Sequence, residues 1–372
     1  MLRTLLVTND FPPRRGGIQT YLEGFIQELD PDQLVVYASS PPDGGAEAYD
    51  DEHPWRTYRY PGTMMLPLPS VRKEMQRIIR EEKIEAVWFG ASAPLGIMAN
   101  AARAAGARKV ISTTHGHEIG WSMFPGTRQI LKRIFHTADT VTYLTNATFA
   151  RLQPCMGDVH RVRMPGGINP EAFAFSQEWR DRLRARYGIG DEPVVVCISR
   201  LVERKGQDTL IAAWPTITQR FPGAKLVVVG KGPYEAKLRA MAGNNNSIIF
   251  TGEVAFPELA AHYSLGDVFA MPCRTRGGGL DIEGLGIVYL EAYAAGLPVV
   301  AGDSGGAPEA VLPGVTGLVA AGRSVEATEA AVCYLLEDPE RAKTMGQAGK
   351  EWVDQAWRWS HLVRPLLAEL EA

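Results

Sequence analysis

The chain is expected to fold as an α/β protein built from two doubly wound parallel sheets, one after the other. Three observations predict this. Short apolar runs of strand length alternate with stretches of helical period; the alternation breaks off around 169–192 and then starts again; and 372 residues exceed what a single core ordinarily organises. The runs are apolar at consecutive positions, as in strands buried on both faces of a helix-covered parallel sheet.

In the first half, Leu2–Thr8 is a β-rich run, and Gly16-Gly17 leads into the helical period of Tyr21, Leu22, Phe25, Ile26 and Leu29. Leu34–Tyr37, Ala86–Phe89, Lys109–Ser112 and Thr140–Leu144 are further strands, with helices over Val71–Glu82 and Pro94–Ala105. In the second half Val194–Ile198, Lys225–Val229, Ser247–Phe250, Asp267–Met271 and Pro298–Ala301 are strands by the same test. Helices fall near Asp208–Arg220, Tyr234–Ala242 and Ile287–Ala295. Pro170, the charged stretch Glu178–Arg186 and Gly188/Gly190 interrupt the pattern. Domains are therefore expected over 1–168 and 193–352, with a linker over 169–192 and a helical tail over about 353–372. Ligands of such sheets bind at the C-terminal ends of the strands, so a cleft between two facing domains is the expected site.

Composition narrows the function. Charged residues are 22% and hydrophobic residues 45%, the balance of a soluble globular chain, and a net charge of −3 argues against a general nucleic-acid binder. Cys155, Cys197, Cys273 and Cys333 have no paired spacing, which fits reduced thiols in a cytosolic protein and no zinc site. Leu5-Leu6-Val7 is too short for a signal peptide, and no apolar stretch has membrane-span length, so membrane contact is expected to be peripheral.

The most informative segment is Gly277-Gly278-Gly279-Leu280-Asp281-Ile282-Glu283-Gly284-Leu285-Gly286-Ile287-Val288-Tyr289-Leu290-Glu291. It sets Glu283 just before a helix start and Glu291 about one turn inside it. The amides of Gly286, Ile287 and Val288 would face outward at the positive end of the helix dipole, where phosphate binds. A surface helix with a first-turn Glu is the plainer reading, but five glycines in ten residues are more than a cap requires.

Four further segments carry candidate chemistry. Gly16-Gly17 lies between a strand and a helix, where missing side chains let backbone approach a ligand. The dinucleotide spacing of glycines is absent, which disfavours a dehydrogenase. Arg200 and Lys205 follow the first strand of the second half, where a guanidinium and an ammonium can neutralise a leaving diphosphate; a solvated basic loop is the alternative. Ser112-Thr113-Thr114-His115-Gly116-His117-Glu118 leaves a buried strand of the first half. Two histidines at this spacing lack a third metal ligand, and a structural hydrogen-bonding role is the alternative for either. Glycines and Glu309 in Gly302–Glu309 offer another close approach, or a helix-start carboxylate.

With seven residues between Glu283 and Glu291, the segment resembles the E-x7-E motif of family 4 of the retaining glycosyltransferases, and the resemblance covers essentially the whole chain. It implies the GT-B fold, with two Rossmann-like domains facing across a cleft and a last helix that crosses back to the first domain. It also implies that Glu283 binds sugar hydroxyls, Glu291 a ribose, and Arg200, Lys205 and the Gly286, Ile287 and Val288 amides the diphosphate, with Gly16 and Gly17 on the donor. His115 is implied near the donor sugar, with His117 and Glu118 in the loop nearer the acceptor; whether His115 or His117 lies nearest the reacting carbon stays open. The runs Thr8–Pro13, His115–Met123 and Arg274–Asp281 narrow the resemblance to the actinobacterial phosphatidylinositol mannosyltransferases of this family. That implies transfer of mannose from GDP-mannose to the inositol 6-hydroxyl of phosphatidylinositol monomannoside, acylated or not, with retention, at the cytoplasmic face of the cell membrane. No tightly bound cofactor and no structural metal are implied, only room for a non-structural Mg2+ dependence.

A lipid acceptor calls for a peripheral membrane surface. Gly126–Phe135 carries three cations and a stripe of Ile130, Leu131, Ile134 and Phe135, as an interfacial helix would. Met64–Pro69 followed by Arg72, Lys73, Arg77 and Arg80 is a second candidate; helices packed on the sheet with solvated basic faces are the alternative for both. Rival functions are a relative using another nucleotide sugar or acceptor, a sugar-nucleotide epimerase on the same architecture, and a non-catalytic nucleotide-sugar binder.

Overall fold

The computed structural model describes residues 1–14 and 16–371. Two compact units divide the chain, Met1–Gly167 with Trp359–Ala372, and Ile168–Arg358.

The first unit holds β1 (Thr4–Thr8), β2 (Leu34–Ser39), β3 (Arg56–Tyr60), β4 (Ala86–Phe89), β5 (Lys109–Thr113), β6 (Thr140–Tyr143) and β7 (His160–Arg163). They form one parallel sheet in the order β3-β2-β1-β4-β5-β6-β7. The second unit holds β8 (Val194–Ile198), β9 (Lys225–Val229), β10 (Ile248–Gly252), β11 (Val268–Met271), β12 (Val299–Gly302) and β13 (Gly317–Ala320), in the order β10-β9-β8-β11-β12-β13. Each order reverses beside the unit's first strand, between β1 and β4 and between β8 and β11, which is where a doubly wound sheet opens for ligands.

The predicted strands are present to within one or two residues. β3, β7 and β13 were not anticipated, and all three are sheet edges. β3 reads Arg-Thr-Tyr-Arg-Tyr and β7 His-Arg-Val-Arg, edge strands without an apolar run, whereas the edge strand β10 keeps Ile-Ile-Phe and was anticipated.

The segment 169–192, expected as a linker, folds into the second unit. It carries the helix Gln177–Tyr187, whose Arg180 donates to the carbonyls of Ser264, Leu265 and Gly266 and pairs with Asp267 at 2.6 Å. The tail belongs to the first unit from Trp359 onward, while the helix Pro339–Ala356 stays with the second. Leu366 and Leu370 are fully buried in the core of the first unit, and Leu2 N–H donates to the Leu370 carbonyl at 2.6 Å. Trp359 fills the space left by Gly24, where a Cβ would lie 2.2 Å from the indole. Among the described residues no helix is long and apolar enough to cross a membrane.

Candidate active site

In the second unit the C-terminal ends of β8 and β11 carry two loops that meet at Glu283. After β8 the chain makes a 3-10 turn, Glu203–Lys205, that points Lys205 inward until the residue is 8% exposed. After β11 the glycine-rich stretch brings Glu283 to the same place, 6% exposed. Lys205 Nζ lies 2.8 Å from Glu283 Oε2, and Arg204 Nη1 lies 3.6 Å from the same oxygen. Burial alone pushes the Glu283 carboxyl up, but Lys205 and Arg204 outweigh it and hold the group below the usual carboxylate range. Lys205 meets the carboxylate at Oε2, one of two oxygens with about four acceptor positions between them. Glu283 therefore keeps directional acceptor capacity for a hydroxyl donor.

The loop after β12 fixes the Glu283 backbone. Glu283 N–H donates to Ser304 Oγ at 3.1 Å, and Gly306 N–H donates to the Glu283 carbonyl at 2.9 Å. At Gly305 φ is 54° and a Cβ would sit 2.1 Å from the Glu283 carbonyl oxygen. Gly305 thus lets this loop approach Glu283, Gly302 lets it approach Cys273, and Glu309 falls on the short turn Ala307–Ala310.

The helix Ile287–Ala294 starts where the sequence places it. Gly286 caps it at φ 83°, and a Cβ there would meet the Tyr289 ring at 2.4 Å. That ring cannot yield, because it is buried and its hydroxyl donates to the Met271 carbonyl at 2.7 Å. No side chain caps this end of the helix, and the Tyr289 amide turns back to the Gly286 carbonyl at 3.0 Å. Glu291, one turn in, accepts from the Tyr263 hydroxyl at 2.5 Å. The residue is partly accessible while its carboxyl is closely enclosed, and burial pushes that carboxyl up to about 7 against the lowering effects of Tyr263 and Lys205.

Arg200 is exposed on the same loop as Lys205. Arg204, not among the residues singled out from the sequence, joins Lys205 on Glu283 and also pairs with Asp281 at 3.1 Å. Its place was unreadable because side-chain direction within a single 3-10 turn has no sequence period. Arg274 was likewise missed: it grips Asp208 at 2.6 and 2.7 Å, and its N–H donates to the Arg204 carbonyl at 2.7 Å, so one buried residue braces the whole turn.

In the first unit His115 follows β5. Its Nε2 lies 2.6 Å from the Gly90 carbonyl, which makes Nε2 the protonated nitrogen and leaves a lone pair on Nδ1. Burial pushes this imidazole below its ordinary value, so it is neutral at neutral pH. His117 is exposed and caps a helix, Glu118–Met123. Glu118, expected in the loop nearer the acceptor, stands fully buried at the start of that helix. Its Oε2 accepts from the N–H groups of His115 and Gly116 at 3.0 and 3.1 Å, because a carboxylate in the first turn can satisfy amides that lack helical partners. Glu118 thus shapes the loop instead of facing solvent. Glu118→Ala is expected to lower stability by about 2–3 kcal/mol, with most of it regained in Glu118→Gln, whose carbonyl accepts the same bonds; thermal melts check this.

Gly16 and Gly17 are exposed at the start of the helix Gly17–Ile26. Nothing lies within 4 Å of where a Cβ on Gly17 would be, so packing within the protein does not demand glycine there. Among the described residues no group of three or more His, Cys, Asp or Glu could hold a metal ion.

The family model for "Glycosyl transferases group 1" matches residues 180–352, and that for "Glycosyltransferase Family 4" matches 15–172. The chain is 52% identical over 363 residues to a GDP-mannose-dependent alpha-(1-6)-phosphatidylinositol monomannoside mannosyltransferase of Mycolicibacterium smegmatis, spanning 95% of this chain and 94% of that one. It belongs to glycosyltransferase family 4.

A second family 4 relative, from Corynebacterium glutamicum, is the GDP-mannose-dependent monoacylated alpha-(1-6)-phosphatidylinositol monomannoside mannosyltransferase; it is 47% identical over 96% of this chain and 94% of its own. Solved structures share the fold at lower identity. Sucrose-phosphate synthase from Thermosynechococcus elongatus superposes with a TM-score of 0.81 at 21% identity, covering 99% of this chain and 98% of that one. Anabaena HepE in complex with UDP-glucose gives 0.79 at 20%, covering 99% of both. As a member of family 4, the protein is an enzyme with two Rossmann-like domains, its E-x7-E glutamates standing where β11 hands over to the helix Ile287–Ala294.

Proposed function

We propose that the protein transfers mannose from GDP-mannose to the inositol 6-hydroxyl of phosphatidylinositol monomannoside, with retention of the α-configuration. The observation that carries this reading is 52% identity over 95% of the chain to an enzyme of that name. The local geometry supports it. In this proposal Glu283 receives mannose hydroxyls, Glu291 the ribose, and Arg200, Lys205 and the Gly286–Val288 amides the diphosphate. The C1–oxygen bond to the diphosphate breaks as the inositol oxygen bonds to C1 on the same face, and the inositol proton passes to the departing diphosphate. Negative charge grows on that diphosphate, so a buried cation such as Lys205 stabilises the transition state more than the bound donor. Glu283, ion-paired and held below the usual carboxylate range, is poorly suited to attack C1 itself. His115, neutral with a lone pair on Nδ1, can accept from a hydroxyl donor.

Incubating the enzyme with GDP-[14C]mannose and phosphatidylinositol monomannoside tests this. Label should enter the lipid fraction and UDP-sugars should not compete; label that stays soluble as an epimer or as unchanged donor would refute it.

We also propose contact with an anionic membrane surface through the first unit. The predicted stripe does not supply it: Leu131, Ile134 and Phe135 are fully buried and only Ile130 of the four is exposed. The apolar residues left outside are Met123 and Phe124 just ahead of that helix, and Met64, Leu66 and Leu68 ahead of Arg72 and Lys73. Replacing Arg128, Lys132 and Arg133 by Gln should reduce sedimentation with phosphatidylinositol vesicles at low salt, each charge contributing ~1 kcal/mol. Undiminished binding would move the contact to the 64–73 segment, where Leu66→Ser with Leu68→Ser would then abolish it.

A further inference from the structure

Tyr263 lies fully buried on the helix Phe256–Leu265, and its hydroxyl donates to Glu291 Oε2 on the neighbouring helix at 2.5 Å. Its ring is held by Phe269 of β11, stacked at 5.8 Å, and by the edge of Phe173, also at 5.8 Å. Phenylalanine would fill this space equally well. A buried phenol needs a partner, and here the partner is one of the two motif glutamates. A carboxylate has two oxygens with about four acceptor positions. Tyr263 takes one of them on Oε2 and fixes the rotation of the group, so that Oε1 is presented in a set direction.

We propose that Tyr263 is a positioning residue for the nucleoside half of the donor: its hydroxyl orients the Glu291 carboxylate and keeps it ionised for a ribose diol. This rests on the assignment of Glu291 to the ribose.

A diol donates two protons, and a carboxyl that carries its own proton has lost an acceptor position, so the ionised form is the one that binds. Burial works against that form and pushes Glu291 up to about 7, while Tyr263 and Lys205 work for it. Of the other elements packed on this helix, the turn Pro170–Phe173 contributes Glu171, engaged with Arg358 at 2.7 Å. The turn Ala307–Ala310 contributes Glu309, and the helix Pro339–Ala356 presents the Trp352 ring to Tyr293. Burial pushes the Cys197 thiol of β8 up to about 12, so it stays uncharged over the range tested.

The test is calorimetric titration of the full chain with GDP between pH 5.5 and 8.5, for the parent, Tyr263→Phe and Glu291→Gln. The titration of GDP itself is common to all three. The parent should weaken as pH falls, with a midpoint near 7 that Glu291→Gln lacks. Tyr263→Phe should move that midpoint up by roughly one pH unit, giving about fivefold weaker binding at pH 7 and near-parental binding at pH 8.5. An unmoved midpoint, or an equal loss at every pH, would make Tyr263 merely structural and overturn the proposal. If Glu291→Gln keeps the parental pH dependence, the ribose assignment of Glu291 fails instead. Should Tyr263→Phe melt below assay temperature, 3-fluorotyrosine at 263, a more acidic donor, should lower the midpoint; a midpoint that stays in place refutes the proposal just as firmly.

Discussion

Lys205→Met is expected to lower kcat/KM by ~30- to 800-fold, corresponding to about 2–4 kcal/mol of lost transition-state stabilisation. The same substitution should lower stability by about 3 kcal/mol, because it strands Glu283, a buried carboxylate whose nearest cation is Lys205 at 2.8 Å. Arg204 at 3.6 Å retains part of the compensation, so the fold should survive. The two losses can be separated. In Lys205→Met with Glu283→Gln the stranded carboxylate is gone while Arg204 keeps Asp281, so the melting temperature should recover and thereby measure the stability part of the loss. The sign of the pH effect follows from the lowered Glu283 carboxyl. The pair stabilises the native protein above the ordinary glutamate value and loses that contribution as pH falls through the folded value. Thermal melts from pH 3 to 7 alongside steady-state kinetics check both. A folded single variant with parental kcat/KM removes Lys205 from the chemistry.

Glu291→Gln is expected to stabilise the free protein at pH 8 while weakening GDP. The native structure holds this carboxyl at about 7, above its unfolded value. A raised group contributes stability that is complete below the unfolded value, about 4.3, and is lost as pH rises through the folded one. Between pH 5 and 8 the parent should therefore lose about 2–3 kcal/mol that the neutral amide does not lose. Donor binding runs the other way, since an amide accepts with one end only. Melting temperatures that fall in parallel for both proteins would show that the carboxyl is not buried at such a cost. A stability gain with weaker GDP binding is the pattern expected where function holds a charge in an unfavourable place. Glu283→Gln, by contrast, should bind GDP almost normally and be impaired with GDP-mannose.

The central strands, the helix start at Gly286 and the acidic pair around it were legible because each rests on local chemistry. Consecutive apolar residues make a strand buried on both faces, and a glycine at positive φ followed by a helical period makes a cap. The edge strands β3 and β7 were not legible, since charged and polar residues stand where a central strand has its apolar run. Glu118 shows the same limit within a site. Its place in a polar run leaving a strand does not reveal that it is fully buried, accepting from the amides of His115 and Gly116.

The sequence by itself determined the α/β class, the twofold restart, the family and the placing of Glu283 and Glu291 across a helix start, because periodicity and glycine spacing are properties of the chain alone. Tertiary structure alone decided the partners: Arg204 with Lys205 on Glu283, Arg274 bracing their turn, Tyr263 on Glu291, and the loop after β12 on the Glu283 backbone. These contacts join residues 20 to 80 positions apart through the register of parallel strands. The physical reason is that burial sets both the charge state and the direction of a carboxylate, and burial is known only once distant segments have come together.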